Sequence, residues 1–159
     1  MSEDHIQELK FANSIFIPEI IKFLEQGHTV TIKLKGYSMR PFLENNRDKA
    51  ILRKPDKLKI GDVVLAEISP QNYALHRIIK IIGENIVLRG DGNLTCEYCK
   101  SENIKGYAVG FYRKGKKNMD STNSMKWKLY SKVWCALFPI RRYLLAFYRI
   151  LWIPLFETK

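Results

Sequence analysis

Cysteine is scarce in this chain. Cys96, Cys99 and Cys135 are the three in 159 residues, too few and too unevenly placed for a disulfide scaffold and without the spacing of a zinc site. The glycine patterns that cradle phosphates are missing too: neither GxGxxG nor GxxxxGK occurs, and no cofactor or metal is expected. Nor is there a long apolar run. The longest near the carboxyl end, Val133 to Ile140, is followed by Arg141, Arg142 and Arg149, whereas a membrane-crossing helix needs roughly 20 largely apolar residues. The amino end, MSEDHIQELK, is acidic and polar, where a secretory signal starts basic and turns apolar. The expected location is cytoplasmic, with peripheral attachment as the one membrane mode left open.

Acid is scarce at one end. Residues 1–112 hold 16 basic and 14 acidic side chains, whereas residues 113–159 hold 11 basic and 2 acidic. The formal charge of +11 is therefore mostly a property of the tail. A basic segment that also carries Trp127, Trp134 and Trp152 suits an anionic bilayer surface or a protein partner, and less specifically a nucleic acid.

What is present fits one core of ordinary size. Ile17, Ile20, Ile21 and Leu24 predict a short helix over residues 15–26, with Pro18 in its first turn and Gly27 as its stop. Val30, Ile32 and Leu34 alternate with polar residues as in a half-buried strand. Further strands are predicted at 50–53, 62–68, 73–82, 86–89 and 107–112, with a hairpin across Gly83-Glu84-Asn85. The expected fold is mainly β: a compact, curled antiparallel domain over residues 1–112 with a short amino-terminal helix. A polar basic connector follows at 113–125, then a basic, aromatic helical extension at 126–159, broken near Pro139 and Pro154.

Ser38 lies in Gly36-Tyr37-Ser38-Met39-Arg40-Pro41, between a strand and a proline. By itself it reads as a turn serine, because a hydroxyl is a poor nucleophile until a base takes its proton. Among the three histidines His76 is the candidate base, since its strand Tyr73-Ala74-Leu75-His76-Arg77-Ile78-Ile79 can hold an imidazole partly shielded from water, whereas His5 and His28 read as surface residues. A carboxylate on one ring nitrogen would present the other to the serine. Asp91 and Glu97 are the two candidates, Glu97 being favoured. Glu97 lies within Cys96-Glu97-Tyr98-Cys99, which reads as structural rather than as a redox pair because the strand-to-helix setting of such pairs is absent.

Gly36–Pro41, then Gly61-Asp62-Val63-Val64, then His76-Arg77, then Gly90-Asp91-Gly92-Asn93 resemble the ordered boxes of the signal-peptidase and LexA-like serine peptidase superfamily. The resemblance covers residues 29–112 and is closest to the Ser-His branch of signal peptidases. It implies Ser38 as nucleophile, His76 as general base and Glu97 at the place of a later catalytic acid, where that branch usually has aspartate. Asp91, Gly36, Met39 and Arg77 take supporting positions, Met39 either shaping an apolar cleft or packing in the core. Relatives with a hydroxyl donor two residues before the nucleophile differ here, at Gly36. The amino-terminal membrane helix of signal peptidases and the DNA-binding domain of LexA-like proteins are not expected in residues 1–28. The implied function is a serine endopeptidase that cleaves a protein or peptide, with small side chains before the cut bond, by Ser-His acyl transfer at or near a membrane surface. The alternatives are a non-catalytic or self-processing protein-binding domain on the same scaffold, and a basic nucleic-acid-binding β domain.

Overall fold

The computed structural model describes residues 13–156; His5 lies outside them. Helix α1 (Asn13–Glu25) is already formed two residues before the apolar spacing indicates, which puts Pro18 inside it. Gly27, at φ +87°, ends it, and the His28 N–H returns to the Phe23 carbonyl at 3.0 Å. The strands are β1 (Val30–Lys33), β2 (Lys49–Arg53), β3 (Val63–Ser69), β4 (Asn72–Ile82), β5 (Asn85–Arg89), β6 (Glu97–Lys100), β7 (Ile104–Tyr112) and the two-residue β8 (Asp120–Ser121). They form one antiparallel sheet in the order β1-β2-β7-β3-β4-β5-β6, with β8 against β7. The β4–β5 hairpin forms where the glycine turn predicts it.

The expectation of a mainly β, curled domain is corrected on two points. The sheet is open: β1 and β6, at the two ends of the order, share no ladder. The fold is also mixed, because helices of all types hold as many described residues as the strands do. The physical reason lies in what covers the sheet. On one face Ile32, Ala50, Leu52, Val63, Leu65, Ala108 and Phe111 pack against Ile20 and Leu24 of α1 and against Trp127, in a helix beyond β8. Helices bury that face, so it has no need to fold onto itself. On the other face Val64, Ala66, Ile78, Ile86, Leu88 and Ile104 form a second cluster.

Beyond β8 the chain is helical: α2 (Met125–Ala136), a 3₁₀ turn at Phe138–Ile140, α3 (Arg141–Phe147), a π-helical turn at Tyr148–Trp152 and α4 (Ile153–Phe156). The Ser124 side chain caps α2 by accepting from the Trp127 N–H. Pro139 marks a break, as expected. Pro154 does not end the helix; it lies inside α4, just after the wider π turn. The preceding segment is tied to the sheet, Thr122 Oγ1 donating to the Ala108 carbonyl at 3.1 Å and Arg113 pairing with Asp120 at 2.7 Å.

Candidate active site

The loop from Leu34 to Asp48 carries Ser38. Gly36 turns it at φ +89°, a left-handed conformation that favours glycine, and its N–H donates to Asn45 Oδ1 at 2.9 Å. The Leu34 N–H donates to the Asp48 carbonyl, also at 2.9 Å, closing the base. Asp48 is fully buried. Its carboxylate accepts from the Glu44 N–H at 2.8 Å, the Lys114 N–H at 3.0 Å and Arg47 Nε at 2.8 Å. Burial alone would raise the Asp48 carboxyl, but Arg47 and the two amides outweigh it and hold the group below the ordinary carboxylate value. Met39 and Leu43 plug the loop into the core, where both side chains are buried.

His76 and Arg77 are consecutive in β4 and so point to opposite faces, His76 opposite Val64 and Arg77 opposite Val63. Arg77 is buried on the helix-covered face. Its Nε and Nη2 donate to the two Asp91 carboxylate oxygens at 2.8 and 2.7 Å, and its Nη1 donates to the Gly61 carbonyl at 2.8 Å and to Ser131 Oγ at 2.6 Å. Burial would lower the guanidinium pKa, but the Asp91 carboxylate more than reverses this, so Arg77 stays charged. Tyr130 also donates to Asp91, at 3.2 Å, and burial beside that carboxylate pushes its phenol upward, so the proton stays on. Trp134 Nε1 donates to the Asp91 carbonyl at 3.0 Å. Asp91 is thus committed to Arg77 and α2, and is not the partner of the imidazole.

That partner is Glu97. His76 Nδ1 and Glu97 Oε2 are in hydrogen-bonding contact. The histidine is 3% exposed and the glutamate side chain 32%. Strand register explains the meeting. Glu97 pairs with Leu88 and Leu88 with Ile78, so the carboxylate lies on the face of Ile78 and His76, one diagonal step from the ring. The residue that continues β5 alongside His76 is Gly90, which has no side chain to stand between them. His76 Nε2 has no hydrogen-bond partner among the described residues, and it is not sealed from solvent.

Gly90 also admits the Ser38 loop. A Cβ there would stand 2.4 Å from the Ser38 carbonyl oxygen and 2.9 Å from Asn93 Nδ2. The Ser38 carbonyl accepts the Gly92 N–H at 2.7 Å. Continuing the alternation of β5 one residue past Arg89, the space where that Cβ would be is on the imidazole's side of the sheet. The four boxes of the sequence therefore converge: the first on the fourth through Ser38 and Gly92, the second and fourth on Arg77. The Ser38 hydroxyl makes no hydrogen bond among the described residues, and the Ser38 and Met39 N–H groups have no acceptor there, leaving two donors next to the hydroxyl. Gly90→Ala is expected to cost about 1–3 kcal/mol of stability by overpacking and to displace Ser38. Urea unfolding checks this; an unchanged midpoint would mean that the contact is not tight.

Some of these features escape the sequence. β6 has no sequence signal, since Glu97-Tyr98-Cys99-Lys100 is a short edge strand with no apolar alternation. Asp48 gave no signal because most of its partners are backbone amides. Cys96 and Cys99 are free thiols that flank Glu97 on an extended segment, His28 is exposed beside Phe23, and no group of residues among those described could hold a metal ion. No protein-family model matches the chain, and no curated protein matches it.

Proposed function

We propose that the chain is a serine hydrolase of the peptidase type, with Ser38 as nucleophile, His76 as general base and Glu97 as the group that orients the imidazole and stabilises the imidazolium formed when it takes the proton. One observation carries this reading: a buried histidine with a carboxylate on Nδ1, its Nε2 unpartnered, on the side of the sheet to which Gly90 admits the Ser38 loop. The resemblance of the four boxes to signal-peptidase-like enzymes supports the same roles. When substrate fills the site, the Ser38 hydroxyl turns to Nε2, since catalytic hydrogen bonds tighten on substrate binding. His76 takes the proton as Ser38 Oγ attacks an amide carbonyl. The Ser38 and Met39 amides receive the charge on the tetrahedral oxygen. His76 then protonates the leaving amine, and afterwards takes a proton from the water that hydrolyses the acyl ester. Glu97 stabilises the imidazolium throughout. Gly36 supplies the turn and no hydroxyl, so the oxygen relies on backbone donors.

The substrate on this reading is a protein or peptide, and the enzyme works peripherally at a membrane; no helix among the described residues is long and apolar enough to cross one. The test is reaction of the purified chain with a serine-directed phosphonate probe, the adduct being located by peptide mass spectrometry. The expected result is one adduct, on Ser38, absent from Ser38→Ala. A folded protein that forms none points to the protein-binding alternative.

A further inference from the structure

The carboxyl-terminal helices have an apolar stripe that the core does not cover. Of the eighteen exposed large hydrophobic residues among those described, eleven fall between Met125 and Leu155. They recur at helical spacing: Met125, Leu129 and Val133 on α2, then Tyr143, Phe147 and Ile150 on α3 and the π turn. The positions turned inward are different ones, Trp127, Ser131, Trp134, Arg141 and Leu145. The stripe is thus a second face, beside the one already packed.

Charge selects what covers it. Residues 125–156 contain six basic side chains and no acidic one. Arg141 is buried, and Lys126, Lys128, Lys132, Arg142 and Arg149 are exposed. A second copy of the chain would set these cations against their own kind, which costs affinity. An anionic bilayer would accept both the cations and the stripe. Beside α2 there is also a cleft of about 680 Å³, in which Lys57 and Lys59 from the loop before β3 join Lys128 and Lys132, over Trp127. None of these four lysines has a salt bridge among the described residues. Asp56 and Asp62 line the cleft too, and Asp62 already accepts the Lys59 N–H at 2.8 Å.

We propose that α2 through α4 lie on an anionic phospholipid bilayer, the stripe in the acyl boundary and the four-lysine cleft around a lipid phosphate. This gives the peripheral position of the preceding reading a specific surface, and stands on observations separate from the catalytic groups. Because α2 packs on Arg77 and Asp91, it would also fix how the Ser38 site faces the membrane.

The test is sedimentation of the full chain with vesicles of phosphatidylcholine alone or mixed with phosphatidylglycerol. Binding is expected to the mixed vesicles only, weakening as salt rises. Substituting serine for Leu129, Phe147 and Ile150, all exposed, should abolish it while leaving the circular dichroism spectrum unchanged. Lys57→Gln with Lys59→Gln, which lies off the helices, should weaken binding roughly 30-fold, the factor that two surface cations contribute. Inorganic phosphate should compete no better than chloride at equal ionic strength. Binding to neither vesicle, equal binding to both, specific release by free phosphate, or a lipid-free dimer that the serine substitutions dissociate would each overturn the proposal. Unchanged binding by the Lys57 and Lys59 variant would remove the cleft from it. Probe labelling of Ser38 in the same samples reports separately on the hydrolase reading.

Discussion

His76→Ala is expected to slow acylation of Ser38 by about 10²–10⁴-fold, the usual contribution of a positioned general base. The effect should be large because neither nearby carboxylate is placed to replace the ring: Asp91 is bound to Arg77 on the opposite face, and Glu97 is bonded to the imidazole itself. Folding should change little by comparison, since the imidazole makes one side-chain bond and its Val64 and Ile78 neighbours are apolar. Glu97→Gln should slow the reaction less, since the amide can still touch Nδ1 but carries no charge to stabilise the imidazolium. Acylation rates with the phosphonate probe check both. A His76→Ala rate within a factor of a few of the parent would rule out proton transfer through this ring.

The second large effect is on stability. Asp91→Ala is expected to cost about 3–5 kcal/mol, because it leaves the Arg77 guanidinium buried with its charge unmatched. Arg77 is 1% exposed, and its remaining acceptors, the Gly61 carbonyl and Ser131 Oγ, are neutral. Two aromatic rings, Trp127 and Tyr130, lie 5.4 and 5.6 Å from the guanidinium carbon and offset only part of the loss. The Tyr130 hydroxyl loses its acceptor as well. Urea unfolding followed by tryptophan fluorescence measures the loss. A cost under about 1 kcal/mol would mean that water reaches Arg77 and that the pair is not the clamp between sheet and α2 described here.

How much of this is legible in the sequence depends on the range of the interaction. Alternation gives β4 and β5, and the glycine turn gives their pairing, because both are set by neighbours along the chain. Three of the four boxes are legible because they are backbone devices, a turn at Gly36, a strand entry at Gly61 and a junction at Gly90 and Gly92; the remaining one, His76-Arg77, is a pair of side chains on opposite faces. Sequence leaves Asp91 and Glu97 as rivals for the imidazole. Strand parity separates them, since residues 76 and 77 face opposite ways, and that parity requires the register of three strands. The bond from Arg77 to Ser131 spans 54 residues, so nothing local marks α2 as the cover over Arg77. The expectation of curling failed for the same reason: whether a sheet folds on itself or stays open depends on which helices cover its faces, and Trp127 reaches the core from beyond the connector.

If Glu97 and His76 act as one unit on Ser38, removing the ring should leave the carboxylate nothing to act through. A double-mutant cycle on the probe acylation rate tests it most directly, using the parent, His76→Ala, Glu97→Gln and the combined variant. The combined variant is expected to be no slower than His76→Ala alone, because the carboxylate would act only through the ring. Losses that simply multiply, or a Ser38 that labels equally fast in all four proteins, would contradict it.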